Sequence, residues 1–325
     1  MVKKIAIFHT GGTIAMEQDH QTGAVHPQET NPLLQIDNHL LQNVELIVEN
    51  ILNIPSPHIT EQEMILLQKK IEEKKQTDNI DGVVITHGTD TLEETAYFLD
   101  LTTNIDIPIV ITGAMRSSNE IGADGLYNFI SAIKVAMSDQ AKGAGVLVVL
   151  NDEIHAARNV TKTSTSNIAT FKSPQYGPMG IVTKNGVFIH QQLLHQETYQ
   201  IKNISKNVLL LKAHAGMNNL IFQLLEDAPI HGIVIEALGQ GNIPPQTIPG
   251  LTAMIRKGIP IVLVSRCFNG VVEDVYGYQG GGKHLKDLGV IFSNGLNGQK
   301  ARLKLLVALE MTTNHKEIEN IFQYM

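Results

Sequence analysis

Residues Gly82-Val83-Val84-Ile85-Thr86-His87-Gly88-Thr89-Asp90-Thr91-Leu92-Glu93-Glu94-Thr95 decide the fold. A short β-branched run, 82–86, reads as a buried strand. It breaks into a turn of hydroxyls, one glycine and one carboxylate, and a helix begins near Leu92. Asp90 or Thr91 can cap that helix, with Glu93 or Glu94 closing a capping box. The same strand–turn–helix grammar recurs on both sides. Residues 5–8, 107–112 and 146–150 are further apolar runs, each followed by a polar or Gly-rich turn. Helices are expected near Gly125 and Pro32, and over 60–75, where Met64, Leu67 and Ile71 fall at helical spacing. Such repetition predicts a mainly parallel sheet covered on both faces.

Between residues 181 and 191 the pattern changes. The pair Asn185-Gly186 is a hairpin signal, so an antiparallel ribbon is expected to close the first domain. Residues 191–206 are polar and without a clear period. A second α/β cycle follows, with strands at 208–212, 232–236 and 260–264, helices at 219–226 and 249–257, and two terminal helices at 300–310 and 315–322. The chain is 325 residues long, about twice an ordinary domain. The predicted organisation is an N-terminal α/β domain over 1–190, a linker over 191–206 and a smaller α/β domain over 207–325.

Composition narrows the partners. The formal net charge is −7, from 25 basic and 32 acidic residues, with no stripe of Lys or Arg that a phosphate backbone could follow. Nucleic acid is therefore not an expected partner. Lys69, Lys70, Lys74 and Lys75 interleave with Glu72 and Glu73 and read as a solvated helix face. A lone cysteine, Cys267, allows no internal disulfide, and no CxxC or HExxH pattern offers a metal site. No cofactor is expected, since both the dinucleotide and the P-loop glycine fingerprints are missing. The apolar run at 5–8 is shorter than the roughly 7–15 residues of a signal-peptide core. No stretch nears the roughly 18 apolar residues of a membrane span. The expected location is the cytoplasm.

Ligands of open parallel sheets bind beyond the carboxyl ends of the strands. Three segments stand out there. Thr10-Gly11-Gly12-Thr13 follows 5–8, and its glycines permit a sharp turn and close backbone approach; alone it could equally be a phosphate loop or a plain turn. Thr86 to Thr91 follows 82–85, where a helix start also offers N–H groups to an anionic atom. Asn159-Val160-Thr161-Lys162-Thr163-Ser164-Thr165-Ser166 sets a lysine among hydroxyls. On its own that segment reads as a solvated strand or loop; beside a hydroxyl nucleophile its lysine can serve as a base if burial or a nearby cation lowers its pKa.

Taken together, these segments resemble the L-asparaginase family over essentially the whole chain. The likeness is carried by Thr10 to Ala15, Ile85 to Thr95, Ile111-Thr112-Gly113-Ala114-Met115-Arg116, Val160 to Thr163, Gly239-Gln240-Gly241-Asn242 and Leu296 to Arg302. One Thr-Gly-Gly-Thr is weak; four catalytic-domain segments in order are specific. The resemblance implies Thr13 as nucleophile and Thr89, Asp90 and Lys162 as a second catalytic group. It implies a substrate site of Gly12, Ser56, Gly88, Thr89, Asp90, Ala114 and Asn242, with L-asparagine as the small-molecule substrate. It also implies a homo-oligomer, in which Asn242 reaches a neighbouring subunit's site. The segment 16–30 looks like the family's mobile lid but lacks the tyrosine many members carry there; it offers His20, His26 and Glu29 instead. Cys267 falls where some cytoplasmic members sense asparagine. Rival readings are a glutaminase subunit of a tRNA-dependent amidotransferase, which carries an extra N-terminal domain, and a non-catalytic amino-acid sensor. A sensor has no use for a nucleophile.

Overall fold

The computed structural model describes residues 2–19, 21–27, 33 and 43–323. The helix expected near Pro32, and His20 and Glu29 of the lid segment, lie outside the described residues. The chain divides into two compact units, 1–200 and 201–325. Among the described residues no helix is long and apolar enough to cross a membrane.

In the first unit the strands are β1 (Lys3–His9), β2 (Met16–Gln18), β3 (Val25–Pro27), β4 (Val44–Asn50), β5 (Gly82–Thr86), β6 (Ile109–Thr112), β7 (Val146–Leu150), β8 (Glu153–Ala156), β9 (Thr161–Lys162), β10 (Phe171–Lys172), β11 (Gly180–Thr183) and β12 (Gly186–Ile189). The helices are α1 (Glu61–Asp78), α2 (Leu92–Thr102) and α3 (Gly125–Ala136). An eight-stranded sheet runs β12-β11-β8-β7-β6-β5-β1-β4. Its members β7, β6, β5, β1 and β4 are parallel neighbours. The three added strands, β8, β11 and β12, are antiparallel. The hairpin expected at Asn185-Gly186 is present, but its two turn residues are Lys184 and Asn185, and Gly186, with φ of 145°, opens β12 instead of completing an Asn-Gly turn.

Both sheet faces are covered, which is why the strands read as continuous apolar runs. Ile5, Ile7, Val84, Val110, Leu147 and Val149 pack with Phe129, Ala132, Ile133 and Ala136 of α3. The alternate residues Ala6, Phe8, Val83, Ile85, Ile109, Ile111 and Val148 pack with Leu67 and Ile71 of α1 and Leu92, Ala96 and Leu99 of α2. Each fully buried Val, Leu, Ile or Phe among them contributes roughly 1.5–3 kcal/mol. α1 starts at a true capping box: Thr60 N–H donates to Glu63 Oε2 at 2.8 Å while Thr60 Oγ1 accepts from Gln62 N–H. It stops at Asn79, whose φ of 51° is the left-handed stop for which Asn is suited.

Chain order reverses at β1: β4 is laid on one side of it, then β5, β6 and β7 on the other. That reversal opens a crevice beyond the carboxyl ends of β1 and β5.

The second unit carries β13 (Val208–Lys212), β14 (Gly232–Ala237), β15 (Ile261–Ser265) and β16 (Ile291–Phe292) in one parallel sheet. Its helices are α4 (Leu220–Leu224), α5 (Ile248–Arg256), α6 (Gly282–Asp287), α7 (Gly298–Met311) and α8 (His315–Phe322). Phe222, Leu251, Met254 and Leu285 cover Ile233, Ile235, Ile261 and Leu263 on one face. On the other, α7 seats Leu305 and Leu309 against Gly232, where a β-carbon would sit 2.8 Å from Leu305 Cδ2.

Candidate active site

Three loops meet backbone to backbone beyond β1 and β5. Gly11 and Gly12 have φ of 99° and 82°. A β-carbon on Gly12 would fall 2.3 Å from Gly88 Cα, and one on Gly11 would fall 2.7 Å from Ile54 N and O. One on Gly88 would lie 2.8 Å from Ser56 Oγ. Sterics dictate all three glycines, and φ adds a second reason at Gly11 and Gly12. Hydrogen bonds fix the contact: Thr10 N–H and Oγ1–H both donate to Thr86 O, at 3.1 and 2.9 Å, and Ile54 N–H donates to Thr10 O at 3.1 Å.

Beneath the loops sit two buried histidines. His87 Nδ1 lies 2.7 Å from Gly88 O, and a carbonyl can only accept, so Nδ1 carries the hydrogen. His87 Nε2 then accepts from Thr95 Oγ1 at 2.9 Å. Burial lowers the His87 pKa to about 4, against a smaller raising effect from the Gly88 bond. Burial likewise lowers His9 to about 4; its Nδ1 sits 2.8 Å from Thr86 Oγ1. Both rings are neutral at pH 7. The unfolded chain takes up these protons near pH 6.5, before the folded chain does, so stability is complete above that pH and falls as pH drops toward 4. Each group is worth roughly 3 kcal/mol over the full window. Urea midpoints are expected to fall steadily between pH 7 and pH 5, before most carboxylates protonate.

Ser56 is buried. Its Oγ accepts from Asp90 N–H at 3.2 Å, and its carbonyl accepts from Thr91 Oγ1 at 2.8 Å. With its oxygen so engaged, the Ser56 hydroxyl hydrogen remains to donate to a ligand. The second bond corrects one expectation. Thr91 precedes α2 but makes no side-chain cap, and no capping box forms there. Its hydroxyl ties down the Ser56 loop instead.

Lys162 approaches from β9. Its ammonium donates to Thr89 Oγ1 at 3.0 Å and to Asp90 Oδ1 at 2.7 Å. Thr89 is buried, whereas the Asp90 side chain is 62% exposed, leaving its second oxygen open to a cationic group. Thr13 is partly buried and follows Gly12 directly, as Thr89 follows Gly88. The two threonines thus leave a single glycine–glycine contact. Ala114 is buried, its methyl 3.3 Å from where a Gly125 β-carbon would be. Gly113 beside it abuts Thr89 Cγ2 and His87 O.

The structure thus brings Gly12, Thr13, Ser56, Gly88, Thr89, Asp90, Ala114 and Lys162 to one place. Asn242 belongs to the other unit. There it closes a tight loop with Leu238 through two backbone bonds of 2.8 and 2.9 Å, and its Oδ1 is buried with no hydrogen-bond partner among the described residues. Cys267, in the same unit, is exposed. Of the lid segment, Met16–Gln18 and Val25–Pro27 form an antiparallel pair that sets Glu17 opposite an exposed His26. Ser118 N–H and Oγ–H both donate to Met16 O, and Asn119 exchanges two 2.8 Å bonds with the backbone of Gln18.

Sequence reasoning missed one side chain of this neighbourhood. Glu93, taken as a cap, is buried and accepts from Thr161 Oγ1 at 3.0 Å and Lys162 N–H at 3.1 Å. Its only sequence signal was a carboxylate on the first turn of a helix otherwise apolar on that face.

An α/β frame of this kind, with hydroxyls, a lysine and a carboxylate gathered on glycine-rich strand ends, is matched by two family models. The model "Asparaginase, N-terminal" matches residues 4–195, and "Glutaminase/Asparaginase C-terminal domain" matches residues 207–322. The chain belongs to the asparaginase family. It is 35% identical to an L-asparaginase of Bacillus licheniformis, over 95% of this chain and 96% of that protein. It is 31% identical to a glutaminase-asparaginase of Pseudomonas fluorescens biotype A, over 98% of this chain and 89% of that one. It also superposes, with a TM-score of 0.88 and 33% identity, on a crystal structure described as "Probable Cytoplasmic L-asparaginase from Campylobacter jejuni", over 99% of this chain and 100% of that one.

Proposed function

We propose that this protein hydrolyses the side-chain amide of L-asparagine to L-aspartate and ammonia. The observation that carries the reading is the contact of Lys162 Nζ with both Thr89 Oγ1 and Asp90 Oδ1, beside the Gly12–Gly88 junction that leads into Thr13. Asparagine presents an ammonium and a carboxylate at fixed separation from a neutral amide. The open oxygen of Asp90 takes the ammonium, and the Ser56 hydroxyl with nearby N–H groups takes the carboxylate. That pose turns the amide carbon toward Thr13.

The Thr13 oxygen adds to the carbonyl carbon while its proton passes to Thr89 Oγ1, which hands its own hydrogen on to the amide nitrogen. Backbone N–H groups near Gly12 and Thr89 stabilise the oxyanion. Because Lys162 donates to Thr89 Oγ1, the Thr89 hydrogen points outward, available to the departing nitrogen. The C–N bond breaks, ammonia leaves, and an acyl-threonine remains. Water then attacks the ester, aspartate departs, and Thr13 regains its proton. In the lid, His26 or water takes the part that a tyrosine plays in many members of the family.

The catalytic domain is read as 1–190, joined through 191–206 to the smaller domain 207–325. The protein is read as a cytoplasmic homotetramer of two close dimers, in which the unpartnered Asn242 Oδ1 finds its donor at a neighbouring subunit's site. The description of the Campylobacter jejuni structure supports the location.

Glutamine is a weaker second substrate, a reading favoured by the Pseudomonas fluorescens relative. One added methylene is usually worth only about 1–3 kcal/mol of discrimination, or roughly 10–200-fold. Ammonia release measured side by side across concentrations of both amides tests the reading. Asparagine is expected to be turned over with the higher kcat/KM. Release from neither amide would leave a binding module.

A further inference from the structure

Lys162 is not held by the sheet that holds the rest of the site. Among the described residues β9 pairs only with β10, in a two-stranded ribbon separate from the eight-stranded sheet. Thr13, Thr89 and Asp90, by contrast, follow the ends of β1 and β5, inside that sheet, where β1 lies next to the edge strand β4. Something must register the ribbon against the sheet if a lysine on one is to meet groups on the other within 3 Å. Glu93 stands at that join. It lies four residues after Thr89 on the first turn of α2, is only 4% exposed, and directs one oxygen, Oε1, at two donors on the ribbon. One is the Thr161 hydroxyl and the other is the backbone N–H of Lys162 itself. The turn formed by residues 89–93 therefore grips Lys162 at both ends: Glu93 holds its main chain, while Thr89 and Asp90 meet its ammonium.

We propose that Glu93 is a positioning residue for the reaction, a buried carboxylate that sets the reach of Lys162 by anchoring β9 to the start of α2. The proposal rests on the asparaginase reading above and adds to it a residue that touches neither substrate nor the reacting atoms. A carboxylate suits the place physically. It accepts two hydrogen bonds on one oxygen without a competing donor, and the first turn of a helix favours negative charge. Misplacing a catalytic group by about 1 Å can cost on the order of a hundredfold in rate. That is the scale of effect expected when the anchor is removed.

The test is a double-mutant cycle in the full-length protein, with hydrogen exchange as a readout independent of turnover. Glu93→Ala is expected to lower kcat for asparagine by about a hundredfold with KM within a few-fold of wild type. Glu93→Gln keeps an acceptor oxygen facing both donors and is expected to recover most of that loss. In a Lys162→Met background, Glu93→Ala is expected to cost nothing further, because the residue acts only through the lysine. Exchange of the backbone amides at 161–163 is expected to quicken in Glu93→Ala and to return to the wild-type rate in Glu93→Gln. Additive losses in the cycle, or an unchanged kcat in Glu93→Ala, overturn the proposal, as does unaltered exchange at those amides. A wild-type protein that releases no ammonia refutes the asparaginase reading instead, and the exchange experiment still decides whether Glu93 anchors the ribbon.

Discussion

Thr13→Ala is expected to reduce ammonia release from asparagine by at least about a thousandfold, since the removed hydroxyl is the proposed nucleophile and no other group forms the ester. The substitution deletes one methyl and one hydroxyl at a partly buried position, so folding and asparagine binding are expected to persist. Calorimetric titration separates these outcomes: a variant that binds but does not turn over has lost chemistry alone. Thr13→Ser keeps an attacking oxygen and is expected to retain measurable turnover. The comparison with Thr89→Ala is decisive for the order of events. Should Thr89→Ala be silent in burst kinetics while Thr13→Ala keeps its burst, the first attack belongs to Thr89 and the assignment of roles reverses.

Lys162→Met is expected to lower kcat by about 10²–10⁴-fold, the usual contribution of a positioned acid–base group. The thioether chain fills the space of the stem but offers nothing to Thr89 Oγ1 or Asp90 Oδ1, each of which now receives the ammonium. KM is expected to move far less, because the Asp90 carboxylate remains for the substrate ammonium. Lys162→Arg is expected to recover little: a guanidinium keeps the charge but is a wide planar fork, held in place of a compact donor. Steady-state kinetics of the two variants beside wild type check this. Full activity in Lys162→Arg would mean that charge alone is required there.

Fold and site were unequally visible in the sequence, and the reasons differ from residue to residue. The strands over Gly82–Thr86 and Val146–Leu150 were readable to the residue because both faces are buried, so nearly every position is apolar, the terminal Thr86 excepted. β4, Val44–Asn50, escaped notice: it lies at the sheet edge beside β1, half exposed, with Glu45 and Glu49 interrupting its apolar positions. β8 was missed because its turn, Asn151-Asp152, was not recognised as a hairpin, although φ of 49° and 65° is what a two-residue turn demands. β9 and β10 are two residues each and carry no periodicity at all. The loops at the strand ends were found by the topology argument, since a parallel sheet says where to search. What each hydroxyl there does required distances. Thr91 is the plain case: local sequence made it a cap, and the Ser56 carbonyl, thirty-five residues away, claimed its hydrogen.

The twin bonds between Asn119 and Gln18 have a mechanical meaning. An amide side chain there imitates a strand, occupying the edge of β2 opposite β3, while Ser118 secures Met16 from the same loop. Gln18 lies five positions after Thr13, so the stretch bearing the proposed nucleophile is clamped downstream at Met16 and Gln18 and upstream by the Thr10–Thr86 bonds. The Thr13 hydroxyl is thereby carried on a stretch of chain pinned at both ends by hydrogen bonds.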